Sequence, residues 1–218
     1  MKKTANVIGA TGMVGRELVS QLLKSDSIEK VRIFVRRDLQ IRHPKLEQHM
    51  IDFNNAQSWE PLLQGDILFS TLGTTIRQAG SKKNQYLVDY SYQYRFAEKA
   101  AKNGIPSYVL VSAAGADPKS LIFYARMKGE LDEAVLKLPF KKIAILRPSI
   151  LEGDREKRRV TEEWSVRIMK WLTRFVFSRY RPVASNVVAR AMIRIALEDQ
   201  ILKSAIVDPG DIFNLAGK

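Results

Sequence analysis

The stretch Asn6-Val-Ile-Gly-Ala-Thr-Gly-Met-Val-Gly-Arg-Glu-Leu18 constrains this chain more than any other. A short apolar run, Val7 and Ile8, stops at Gly9, and Gly12 and Gly15 follow with two residues between each. Apolar residues then recur at Val14, Leu18, Val19, Leu22 and Leu23, the spacing of an amphipathic helix. Strand, glycine turn and helix in that order open a strand–helix–strand unit.

The rest of the chain continues the alternation. Strands are predicted at 30–37, 47–53, 66–73, 107–112 and 141–149, with a last one at 211–217. Helices are predicted at 85–104, stopped by Gly104, at 123–138, stopped by Pro139, and at 161–179 and 185–198. This order predicts an α/β fold: a single Rossmann-type doubly wound parallel sheet with helices on both faces. With 218 residues, one domain spanning 1–218 is expected, with residues 151–183 as a small substrate or lid segment inside it. There is no cysteine, which excludes disulfides and thiolate chemistry. The opening Met-Lys-Lys-Thr-Ala lacks the apolar run of a secretion signal, and no stretch approaches the ~18 apolar residues of a membrane span. A cytoplasmic setting is therefore expected.

In an open parallel sheet the ligand crevice lies beyond the carboxyl ends of the strands. Glycines there let backbone amides approach a pyrophosphate, while the helix N-terminus adds unpaired donors and partial positive charge. Gly9, Gly12 and Gly15 suit that task, and no lysine follows to make a P-loop. The bland alternative is a tight turn that holds nothing. Arg36 and Arg37 stand where the second strand ends, and two guanidinium groups suit a 2′-phosphate. NADP(H) is therefore expected in preference to NAD(H), against the alternative of a solvated surface pair.

Tyr124 and Lys128 lie four apart on a predicted helix, hence on one face, and Ser112 ends the fifth predicted strand. A phenol with an ordinary pKa of ~10 exchanges protons poorly at neutral pH. A nearby ammonium stabilises the phenolate and lowers that value. Tyr124 can then give a proton to a carbonyl oxygen, with Ser112 holding that oxygen and Lys128 tuning the phenol and reaching the cofactor ribose.

The segments GATGMVG, STLGTT, VSAAGAD, FYARMKGE and LRPSIL, in this order, resemble the atypical short-chain dehydrogenase/reductase superfamily. Within it the chain is similar to the 30-kDa Tat-interacting-protein-like oxidoreductases. The resemblance implies that Gly9, Thr11, Gly12, Met13, Val14 and Gly15 line the pyrophosphate and that Arg36 and Arg37 take the 2′-phosphate. It implies Asp52 and Phe53 at the adenine, Leu72, Gly73 and Thr74 along the middle of the cofactor, and a Ser112–Tyr124–Lys128 site. Two departures stand out. Ala113 occupies a position where relatives often carry a second serine, and STLGTT replaces the turn of classical members.

Two functional classes follow. The first is an oxidoreductase reducing a small carbonyl or oxidising its alcohol. The second is a non-catalytic dinucleotide-binding redox sensor acting through a protein partner or a homo-oligomer. The formal charge of +13 raises a third, since Arg155–Arg181 carries nine basic residues against three acidic ones. No nucleic-acid motif accompanies that cluster, so no specific nucleic-acid partner is expected. Residues 162–180 are read as a helix whose aromatic side, with Trp164, Trp171 and Phe175, covers the crevice, against the alternatives of a basic amphipathic helix lying on an anionic membrane or a protein-partner surface. His43 and His49 have no acidic or histidine companions at ligand spacing, and no metal is expected.

Overall fold

The computed structural model describes residues 2–152, 182–198 and 204–217. β1 (Lys3–Ile8) runs through the glycine turn into α1 (Met13–Lys24), and β2 (Ile28–Val35) returns parallel to β1 with Val7 opposite Ile33. β3 (Leu46–Met50) pairs with β2, placing Ile33 opposite Gln48. A short helix α2 (Ala56–Trp59) leads to β4 (Ile67–Ser70), which joins the other side of β1 with Val7 opposite Phe69. Two short helices, α3 (Ile76–Ala79) and α4 (Lys82–Tyr86), run into a π-helical turn (Leu87–Tyr92) and then α5 (Gln93–Lys102). β5 (Ser107–Val111), α6 (Phe123–Leu136) and β6 (Lys142–Leu146) complete the middle of the sheet.

The end of the chain corrects the reading of 211–217 as a strand. The last strand of the large sheet lies earlier, at Ser204–Val207, and residues Pro209–Ala216 form a helix. Pro209 sits in its first turn, where a missing N–H costs nothing, and Pro209, Ile212 and Ala216 are buried at helical spacing. Between β6 and that strand lie β7 (Leu151–Glu152) and β8 (Val183–Ala184), paired parallel as a separate ribbon, and α7 (Ser185–Leu197). The last strand is thus β9 and the final helix α8. The described ends of the 151–183 segment are this ribbon; its basic cluster and the helix expected at 162–180 lie outside the described residues.

The large sheet is parallel throughout, in the order β3-β2-β1-β4-β5-β6-β9. Its central strands are buried on both faces, as parallel strands covered by crossover helices must be. Successive side chains sort into two cores. Ala5, Val7, Phe69, Val109, Val111 and Leu146 pack under α1, α7 and α8, while Ile8, Leu68, Tyr108, Leu110 and Ile145 pack under α5 and α6. Trp59 stacks flat on Phe96 at 3.8 Å between ring centres and anchors the second core. The glycine stop of the helix expected to end at 104 is in place: Gly104 N–H donates to Ala101 and Ile105 N–H to Ala100.

Candidate active site

β1 is the strand at which the order reverses, with β2 on one side and β4 on the other, so the crevice opens at the carboxyl ends of β1 and β4. Thr71, just past β4, is tied there: its N–H and its hydroxyl both donate to Ile8 O at 3.0 Å. Gly9 turns away with φ +83°, and a Cβ on it would stand 2.4 Å from Leu72 N. Gly15 lies against the same bend, where a Cβ would come within 2.1 Å of Gly9 O. Gly12 is different. It is exposed, its N–H donates to Gly9 O at 2.9 Å, and a Cβ there would make only ordinary contacts. α1 starts at this point with no side-chain cap and no acidic residue in its first turn. A surface of backbone amides bare of side chains and of negative charge fits the pyrophosphate of a dinucleotide.

The remaining expected cofactor residues rim the same edge. Thr11 is exposed, Met13 half-buried and Val14 buried under the first turn of α1. Arg36 and Arg37 are exposed in the bend after β2, and Asp38 follows them. Arg42 and the Gln40 N–H hold the Asp38 carboxyl ionised, with a pKa of about 2. Asp52 is exposed beyond β3 and accepts from Asn54 N–H at 2.9 Å. Phe53 is buried, with Tyr92 at 5.3 Å and Phe96 at 5.5 Å between ring centres, so its side chain belongs to the core. Leu72, Gly73 and Thr74 form the turn that leaves β4.

On α6 the Lys128 ammonium lies 5.9 Å from the centre of the Tyr124 ring. Tyr124 is 41% exposed whereas Lys128 is only 3% exposed. Burial alone would depress the Lys128 pKa, but Tyr124, Asp89 and Asp132 around it raise it above the ordinary lysine value. Lys128 is therefore charged, and its charge is directed along the helix face that carries Tyr124. Ser112, at the end of β5, is buried one turn further along that face, beside Asp132. Its hydroxyl favours the ionised form of Asp132, although it makes no well-aligned hydrogen bond to any described residue. Tyr124 and Lys128 are thus brought together, while Ser112 lies beside Asp132, the next carboxylate on that helix face.

Four side chains of this site escaped the sequence reading. Asp89, buried in the π-helical turn, bonds Lys128 Nζ at 3.3 Å through one oxygen and accepts the Thr74 N–H at 2.8 Å through the other. Gln85 Nε2 donates to Thr74 O at 3.2 Å, so the turn after β4 is held from both sides. Asp132 is buried against Arg147, whose Nε donates to it at 2.9 Å. Burial pushes the Asp132 carboxyl up, and Ser112 and Arg147 oppose the push. The spacing of Tyr124, Lys128 and Asp132, four apart twice over, was the legible signal for the last of these.

Comparison with known proteins agrees with this geometry. Residues 9–166 match the family described as NAD(P)H-binding. Protein FMP52, mitochondrial, of Coccidioides immitis is 37% identical over 172 residues, covering 73% of this chain and 70% of its own. Its counterpart in Eremothecium gossypii is 33% identical over 217 residues, covering 97% and 96%. Among solved structures, UDP-glucose 4-epimerase from Thermotoga maritima superposes with a TM-score of 0.70 at 12% identity, covering 98% of this chain and 81% of that one. The Bordetella bronchiseptica enzyme WbmH in complex with NAD+ gives 0.70 at 15%, covering 98% and 80%. MoeE5 in complex with UDP-glucose and NAD gives 0.66 at 18%, with the same coverage.

Two expectations are corrected. The preference for NADP(H) does not stand: the dinucleotide named with WbmH and MoeE5 is NAD, and the ionised Asp38 puts a carboxylate beside the arginine pair. The cytoplasmic setting does not stand either, since the FMP52 relatives are named mitochondrial. No helix among the described residues is long and apolar enough to cross a membrane. The fold is the Rossmann fold of these solved structures, and the chain belongs to the NAD(P)H-binding family together with the fungal FMP52 proteins.

Proposed function

We propose that this protein reduces a small carbonyl compound, or oxidises the corresponding alcohol, with a nicotinamide dinucleotide held at the Gly9–Gly15 turn. The observation that carries the reading is the buried, charged Lys128 ammonium beside the half-exposed Tyr124 ring, on the edge of the sheet where the glycine turn opens. When bound, the nicotinamide supplies or accepts the hydride. Tyr124 Oη gives a proton to the carbonyl oxygen or takes it back, and Lys128 stabilises the phenolate left behind. Ser112, a buried hydroxyl without a well-aligned partner among the described residues, donates to the same oxygen and holds it in line. Arg36, Arg37 and Asp52 rim the adenosine end, and Leu72, Gly73 and Thr74 line the middle. Leu121, 98% exposed, and Ile122, 69% exposed, lie at the entry to α6 beside Tyr124 and favour a substrate with an apolar flank. The likeness to the 30-kDa Tat-interacting-protein-like oxidoreductases supports the same reading.

The test is Tyr124→Phe assayed with NADH and a panel of apolar aldehydes and ketones. Turnover is expected to fall by about 10²- to 10⁴-fold while NADH affinity stays unchanged. Full activity in the variant overturns the role of Tyr124.

A second reading is a dinucleotide-binding sensor that catalyses nothing, and one observation favours it: Ser112 is buried beside Asp132. NADH binding without turnover across the panel, together with a partner that distinguishes the loaded from the empty form, selects this reading.

A further inference from the structure

We propose that Asp89 is a positioning residue of the site, whose buried carboxylate joins the Lys128 ammonium to the backbone at Thr74 and so sets the charge that Lys128 presents to Tyr124. The proposal rests on the reading of Tyr124 and Lys128 as the proton-transfer pair, and extends it to a residue from a different element.

The geometry is specific. Asp89 is 1% exposed and uses both oxygens, one on Lys128 Nζ at 3.3 Å and one on Thr74 N–H at 2.8 Å. A carboxylate that bridges an ammonium and the turn after β4 joins α6 to that turn. The backbone that delivers it is unusual. Residues Leu87–Tyr92 form a π-helical turn inside the run from α4 to α5, a rare feature that is frequent at functional sites. Gln93 N–H donates to Tyr90 O rather than to Asp89 O, and the Gln93 side-chain amide donates to Asp89 O at 2.6 Å instead. The Ser70 hydroxyl at the end of β4 then donates to Gln93 Oε1 at 2.6 Å. Ser70, Gln93 and Asp89 are all buried, so the chain of bonds fixes the carboxylate from the floor of the sheet upward.

Lys128 is faced by Asp89 from the π-helical turn and by Tyr124 and Asp132 from its own helix, with Arg147, just past β6, beyond Asp132. Asp132 is already bonded to Arg147, which leaves Asp89 as the carboxylate bonded to Lys128. An ammonium this buried keeps its proton only with such a partner. Without Asp89, Lys128 loses positive charge and Tyr124 loses the field that favours its phenolate.

The experiment follows phenolate absorbance against pH and needs neither substrate nor cofactor, so its failure is distinct from failure of the proposed reaction. Subtracting the curve of Tyr124→Phe from that of the unaltered protein isolates Tyr124. The same subtraction is made with Asp89→Asn present in both. The Tyr124 midpoint is expected to rise by about one unit, a tenfold weaker acid. A midpoint that stays or falls overturns the proposal. In a Lys128→Met background, adding Asp89→Asn is expected to leave the Tyr124 midpoint where it was. A shift as large as that seen with Lys128 present shows that Asp89 does not act through the lysine, and also overturns it. Where Asp89→Asn alone does not fold, melting temperatures decide. The neutral pair Asp89→Asn/Lys128→Met is expected to melt above Lys128→Met, which leaves a buried carboxylate uncompensated. A pair no more stable than that single variant overturns the coupling.

Discussion

Gly15 sits so close beneath Gly9 that a methyl group on it would stand 2.1 Å from the Gly9 carbonyl oxygen. The contact is backbone to backbone, so no side chain can rotate away to relieve it. Gly15→Ala therefore has to push α1 off the turn, at a cost of about 3 kcal/mol. Gly12→Ala meets only ordinary contacts at a backbone conformation open to any residue, with φ −74°. Its stability is expected to stay within ~0.5 kcal/mol of the unaltered protein. Its added methyl nevertheless stands on the bare amide surface, so NADH affinity falls. Denaturant melts and NADH fluorescence titrations on the two variants read these effects separately. Gly12→Ala binding NADH with undiminished affinity would place the pyrophosphate elsewhere.

Most of the sheet could be read from the chain because a parallel sheet buries both faces of its strands. The runs at 66–73, 107–112 and 141–149 each hold three or four consecutive apolar residues, and β4, β5 and β6 are built around them. The segment 211–217 misled because Ile212, Phe213, Leu215 and Ala216 look as apolar as a strand. Their helical spacing and the proline two residues upstream outweigh that apolar content. The glycine turn and the Tyr124–Lys128 pair were legible because each depends on spacing along one element. Asp89, Gln85 and Arg147 were not, because their partners lie on other elements and a side chain's long-range partner leaves no periodicity. The π-helical turn was hidden for a similar reason: its widened backbone is secured by Gln93 and Ser70, and the second of these is 23 residues away.

Ser112→Ala separates the two duties of its hydroxyl. With the donor gone, burial pushes the Asp132 carboxyl further up. The variant is expected to be about 1 kcal/mol less stable at neutral pH. The deficit depends on Asp132 being ionised, so it shrinks as pH falls through the range where that carboxyl takes its proton. Denaturant midpoints at neutral and acid pH measure it, and an equal deficit at both would remove Asp132 from the account. If the hydroxyl also holds the substrate oxygen, turnover falls by about 10²-fold with NADH affinity unchanged.

Tyr86 on α4 donates to Glu130 on α6 at 3.0 Å and ties the two helices together across the site. Burial, then the Glu130 carboxylate, raise its phenol to about 12. An unfolded tyrosine titrates near ~10, so the folded state holds this proton more tightly. The tie contributes fully below pH ~10 and is lost as pH climbs toward the folded value. Tyr86→Phe is therefore expected to lower stability at neutral pH, and the difference from the unaltered protein narrows above pH ~10. Equal pH dependence of the two melting curves would show that Glu130 does not hold the phenol.

His49 of β3 offers a pH test away from the site. Its ring lies 5.3 Å from Phe34, Nε2 has no hydrogen-bond partner among the described residues, and Glu47 is 3.9 Å away. Burial lowers its pKa, and Arg32 adds to that against the pull of Glu47. A folded pKa below the unfolded value of ~6.5 means that the unfolded chain takes up the proton first. The contribution of His49 is thus intact above pH ~6.5 and is lost as pH falls from there toward the depressed folded value. His49→Phe keeps a ring against Phe34 and removes the titration. Between about pH 7.5 and pH 5 the unaltered protein is expected to lose more stability than this variant, measured by denaturant midpoints at each pH. Parallel losses in the two proteins would mean that the imidazole is as readily protonated in the fold as in the unfolded chain, and that burial in β3 does not exclude its charge.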